Sequence, residues 1–82
     1  MSDSVDDYLK AIYQLGQGDT PVSTSAIARR LSVAEASVTG MIRKLAGRKL
    51  LRHTPYRGVR LTAAGEGLAR TMVRKHRLWE LF

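Results

Sequence analysis

The chain is 82 residues long, 44% apolar and free of cysteine, and it carries a formal net charge of +7. A chain of that length makes one domain that buries roughly 60% of its unfolded surface. Without thiols it holds neither a disulfide framework nor a thiolate metal site, and the cytoplasm is its natural compartment. No apolar run approaches the roughly 20 residues of a membrane span, and the polar, acidic residues 1–7 do not read as a signal peptide.

Charge is lopsided. Residues 1–28 carry Asp3, Asp6, Asp7 and Asp19 against Lys10, whereas residues 29–82 carry 13 basic side chains against 3 acidic ones. A basic body of this kind is a weak sign of nucleic-acid binding on one face, and a solvated surface accounts for it equally well.

In chain order, Ser4 is placed to cap a first helix, with Asp7 three residues on as in a capping box. Val5, Leu9, Ile12 and Gly16 share one face of that helix, flanked by Tyr8, Tyr13 and Leu15. The helix is expected to end near residues 16–18, where a Gly-Asp-Thr-Pro loop begins. Val22 and Ser23 form a short strand at most. A second helix is expected over residues 24–31 with Ile27, Ala28 and Leu31 inward, and Ser32 and Val33 make a turn. A third covers residues 34–47 with Val38, Ile42 and Leu45 inward and Met41 beside them. Strands over 51–54 and 59–61 flank a turn at 55–58. Thr62 then caps a long fourth helix, favoured by Ala63 and Ala64, whose expected inner stripe is Ala64, Leu68, Met72 and Trp79. The expected fold is mainly α: a winged helix-turn-helix of three helices, a two-stranded wing and a long C-terminal helix.

The outward face of the third helix holds Ala36, Ser37, Thr39, Gly40, Arg43 and Lys44. Small and polar side chains let a helix approach a groove closely, and the later Arg and Lys reach phosphates. Thr24, which opens the second helix, is assigned to the same interface. Arg57 at the hairpin tip is placed to meet a phosphate or the minor groove, with the plain alternative of an ordinary solvated turn residue, and Arg60 is a flanking candidate. His53 reads as an exposed strand residue. His76 and Glu80 stand four apart on one helical face, a spacing that suits a shared divalent metal and equally a solvated pair or a simple hydrogen bond. No catalytic arrangement stands out: Gly16, Gly18 and Asp19 lack the lysine of a phosphate loop, neither histidine has a triad around it, and no enzyme is expected.

Four stretches, taken in order, resemble the N-terminal region of the metal-dependent repressors of the diphtheria toxin repressor and manganese transport regulator type. They are Ser4-Val-Asp-Asp-Tyr-Leu-Lys-Ala-Ile-Tyr, Ala36-Ser-Val-Thr-Gly-Met-Ile-Arg-Lys-Leu, Pro55-Tyr-Arg-Gly-Val-Arg-Leu-Thr and Arg74-Lys-His-Arg-Leu-Trp-Glu. The resemblance implies a homodimeric repressor that binds palindromic double-stranded operator DNA when loaded with Mn(II) or Fe(II). Its metal sites then lie between this domain and a following helical dimerisation domain, with Asp7, His76 and Glu80 at the family's ligand positions. Residues 1–62 would be the winged-helix domain and residues 63–82 a linker helix leading to a dimerisation domain absent from this chain.

Three departures from the family pattern bear on that expectation. The remaining ligands are missing along with the dimerisation domain, and the absence of a helix stop before Phe82 reads as a piece of a longer protein. Lys10 stands where binuclear manganese members carry a glutamate, which favours two separate sites, one using Asp7 and one using His76 and Glu80. Gly40 stands where some iron-type members read a base with glutamine, which shifts readout to Ala36, Ser37 and Arg43. Asp7, in place of the methionine of iron-type members, tilts the metal toward Mn(II). The alternatives are a winged helix used for protein contacts and a repressor that answers to no metal. The apolar cluster Leu78, Trp79, Leu81 and Phe82 is expected to lack full cover within this domain.

Overall fold

The computed structural model describes the backbone of residues 5–16 and 20–80, and side chains as far as Arg74. The elements run α1 (Val5–Gly16), α2 (Thr24–Leu31), α3 (Glu35–Gly47), β1 (Leu51–Thr54), β2 (Gly58–Leu61) and α4 (Ala63–Glu80). This is the winged helix-turn-helix expected from the sequence. No described helix is long and apolar enough to cross a membrane.

One core holds the elements together. α1 contributes Tyr8, Leu9 and Ile12, α2 Ile27 and Ala28, α3 Val38, Ile42 and Leu45, and the hairpin Leu51 and Val59. α1 lies at the centre, packed on α2, α4 and β2, while α3 packs on α2 and β1. The helix-turn-helix is closed by local chemistry. The Ser23 hydroxyl accepts from the Ala26 N–H at 3.0 Å and caps α2, an arrangement worth ~1 kcal/mol. Ser32 ends α2 in the left-handed conformation, φ 57°. Ala34 precedes α3 as a cap without a side-chain bond. The Ser25 hydroxyl instead donates to the Glu35 carboxylate at 3.1 Å and pins the start of α3 to α2.

The wing is a two-stranded antiparallel hairpin with Leu51 opposite Leu61, Arg52 opposite Arg60, His53 opposite Val59 and Thr54 opposite Gly58. The short strand expected at Val22 is a bridge to this hairpin. Val22 N–H donates to the Val59 carbonyl at 2.9 Å, and Val59 N–H donates to the Val22 carbonyl at 2.8 Å. The return strand starts at Gly58 because that residue has φ +114°, and a Cβ there would stand 2.6 Å from the Val22 carbonyl oxygen. Only glycine lets the wing close on the bridge.

Thr62 caps α4 as expected: its hydroxyl accepts from Gly65 N–H at 3.1 Å and donates to the Lys49 carbonyl at 2.7 Å. The inner face of α4 differs from the expected stripe. Ala64 is exposed, Leu68 is 46% exposed and Met72 only half-buried, whereas Gly65, Ala69 and Val73 are buried. The Trp79 side chain lies outside the described residues. The physical reason is a close backbone approach. A Cβ on Gly65 would come 1.9 Å from the Leu50 carbonyl oxygen, so α4 turns its smallest residues toward the α3–β1 connection and its larger ones outward.

Candidate nucleic-acid interface

Each inward residue of α3 fixes what faces out. With Val38, Ile42 and Leu45 in the core, the helical period leaves Ala36, Ser37, Thr39, Gly40, Arg43 and Lys44 exposed, all six as expected. The Thr39 hydroxyl donates to the Glu35 carbonyl at 3.1 Å, which leaves its lone pairs outward. Nothing lies within 4 Å of a Cβ built on Gly40. The fold therefore does not require glycine there, although glycine inside a helix costs ~0.5–1 kcal/mol against alanine. What it leaves is a smooth, low stretch of helix followed by Arg43 and Lys44. Thr24 is half-buried at the start of α2.

The wing adds cations. Arg57 and Arg60 are exposed. Sequence reasoning passed over Arg52, which is exposed directly across the ladder from Arg60. The signal was present in principle, because Leu51 inward sends Arg52 outward and a hairpin with this turn sets it against Arg60. Tyr56 at the tip was also passed over. It is fully exposed (107%) with φ 68°. The turn is closed by the Arg57 N–H to the Thr54 carbonyl at 3.1 Å, with Pro55 second and a left-handed residue third, the type II pattern. Between the wing and the start of α4 lies an open cleft of about 500 Å³, lined by Pro21, Arg52, Arg57, Arg60 and Thr62 among others. On α4 Arg70 pairs with Glu66, and among the described residues no carboxylate pairs with the wing arginines. The Glu66 carboxylate, and then the Tyr13 hydroxyl, raise the pKa of Arg70.

The three residues considered for metal are not resolved as a site. Asp7 is half-buried on α1. His76 and Glu80 lie one turn apart on the α4 backbone, and their side chains fall outside the described residues. Among the described residues no three His, Asp or Glu side chains converge.

A second helix of a helix-turn-helix with a low, polar outer face, followed by a basic hairpin, defines a winged-helix DNA-binding domain. Residues 1–59 match the family described as iron dependent repressor, N-terminal DNA binding domain. The HTH-type transcriptional regulator MntR of Lysinibacillus sphaericus is 39% identical over 79 residues, 96% of this chain and 57% of that protein. An uncharacterized HTH-type transcriptional regulator of Methanocaldococcus jannaschii is 32% identical over 83 residues, 100% of this chain and 66% of that protein. Among solved structures, the manganese regulator SloR superposes with a TM-score of 0.78 at 38% identity, covering 95% of this chain and 36% of that one. ScaR with bound Zn2+ gives 0.75 at 37% identity, covering 89% and 34%. The chain belongs to the iron-dependent repressor family and carries its N-terminal DNA-binding domain. It spans little more than half the length of the MntR relative.

Proposed function

We propose that this chain is the operator-binding domain of a metal-activated transcriptional repressor that acts in the cytoplasm as a homodimer. The observation that carries the reading is the exposed face of α3, small from Ala36 to Gly40 and basic at Arg43 and Lys44. α3 enters the major groove, where Ala36, Ser37, Thr39 and Gly40 approach base edges. Arg43, Lys44, Arg57 and Arg60 meet phosphates or the minor groove, and Thr24 lies beside the backbone. Base contacts discriminate, and phosphate contacts set affinity and orientation.

Asp7 on α1, and His76 with Glu80 on α4, are proposed to hold Mn(II) or Fe(II), with Mn(II) favoured. Two carboxylates and an imidazole form a hard-to-borderline donor set that suits either ion, and α1 and α4 pack on each other. One related structure is described as the manganese regulator SloR, and another, ScaR, holds Zn2+. When bound, the ion supplies a bond between these helices and a further helical dimerisation domain. Held together in this way, α1 and α4 would favour the arrangement of two copies of α3 that matches successive major grooves, about 34 Å apart. Residues 63–82 serve as the linker helix in this scheme.

The test is binding of the full-length protein to duplex DNA from its own promoter, with Mn(II) or with chelator. The expected result is salt-sensitive binding that tightens with Mn(II). Absence of duplex binding in both conditions overturns the DNA reading, and equal binding in both overturns the metal reading.

A further inference from the structure

Arg52 and Arg60 form a directly opposed cross-strand pair on the outward face of the wing. Opposed residues in an antiparallel ladder hold their Cβ atoms about 4.5–5.5 Å apart, and like charges there work against the strand pairing. Among the described residues no carboxylate offsets either one. A third cation, Arg57, borders the same cleft of about 500 Å³. The next pair along the ladder on the same face is Thr54 and Gly58, and both line the cleft. The cleft is also lined by Pro21, which offers no N–H, and Thr62, whose hydroxyl is engaged with Lys49 and Gly65. Three arginines line this open concavity, two of them like charges directly opposed on a hairpin of two four-residue strands, with no anionic partner among the described residues.

We propose that this cleft is the seat of one DNA backbone phosphate, gripped by Arg52 and Arg60 and closed from the tip by Arg57. The proposal rests on the DNA-binding reading and adds to it a site and a residue, Arg52, outside the expected interface. A phosphodiester placed between the two strands turns the repulsion of the opposed pair into two charge-assisted contacts. The forked donors of arginine suit that geometry better than the point charge of lysine. The wing is then least stable when free and gains order on the nucleic acid.

The experiment combines two readouts on the full-length protein and its Arg52→Thr and Arg52→Lys variants. Duplex affinity is measured across a salt series, and the thermal midpoint of the free protein is measured with and without inorganic phosphate. Arg52→Thr is expected to weaken operator and unrelated duplex alike and to lower the salt slope by about one, while raising the thermal midpoint of the free protein. Arg52→Lys should keep most of the slope. An unchanged slope in Arg52→Thr, with the wild type still binding duplex, overturns the seat and leaves the DNA-binding reading standing. If the wild type binds no duplex but phosphate raises its midpoint and not that of Arg52→Thr, the DNA reading falls and the cleft takes free phosphate instead. If phosphate has no effect either, both fall.

Discussion

The carbonyl oxygen of Leu50 occupies the space that a side chain on Gly65 would need: a Cβ there would stand 1.9 Å away. This contact sets how α4 is rotated on the rest of the domain. Gly65→Ala is therefore expected to destabilise by ~1–3 kcal/mol, although alanine is the better helix former by up to ~1 kcal/mol. Denaturant unfolding of the variant beside wild type measures the difference, and a stabilised variant would show that the approach is not tight.

Gly67, two residues along α4, is the converse case. Nothing lies within 4 Å of a Cβ built there, so Gly67→Ala is expected to stabilise by ~0.5–1 kcal/mol and leave duplex affinity unchanged. Gly40→Ala should stabilise by a similar amount for the same reason, but it raises the low stretch of α3. Thermal midpoints and duplex titrations on the two variants should therefore agree in stability and differ in binding, with only Gly40→Ala losing affinity.

Leu45 is fully buried on α3 within the shared core. Leu45→Ala leaves a cavity under the recognition face and is expected to cost ~2–5 kcal/mol. A calorimetric midpoint that hardly moves would mean that the core is not closed around α3.

Much of this was legible in local pattern, and what was not depended on contacts between distant segments. α2 and the inner face of α3 follow from Ile27, Ala28, Val38, Ile42 and Leu45, because helical periodicity is written into neighbouring residues. The cap at Thr62 and the wing strands followed from turn chemistry. The rotation of α4 did not, because hydrophobicity favours Leu68 as an inward residue while the backbone of Leu50 admits only Gly65. The pairing of Arg52 with Arg60 needs the strand register, and the Val22–Val59 bridge joins residues 37 positions apart. The pairing of His76 with Glu80 was legible as a one-turn spacing on a single helix, whereas Asp7 joined the metal reading only through resemblance, since it lies on a different helix.

In the full-length protein, Asp7→Ala and His76→Ala are each expected to reduce the tightening of DNA binding by Mn(II) while sparing the metal-free affinity. Titration of duplex binding at fixed and zero Mn(II) checks this. A variant that keeps the whole Mn(II) response removes that residue from the proposed site.

The central claim is that the outer face of α3 reads DNA. It is tested most directly by measuring wild type, Ser37→Ala and Arg43→Ala against operator and unrelated duplex across a salt series. Arg43→Ala should weaken both duplexes and flatten the salt dependence. Ser37→Ala should erode the preference for operator, where a good base contact is worth ~1–3 kcal/mol, and leave nonspecific binding nearly intact. If both variants match wild type on both duplexes at every salt concentration, α3 is not the reading helix.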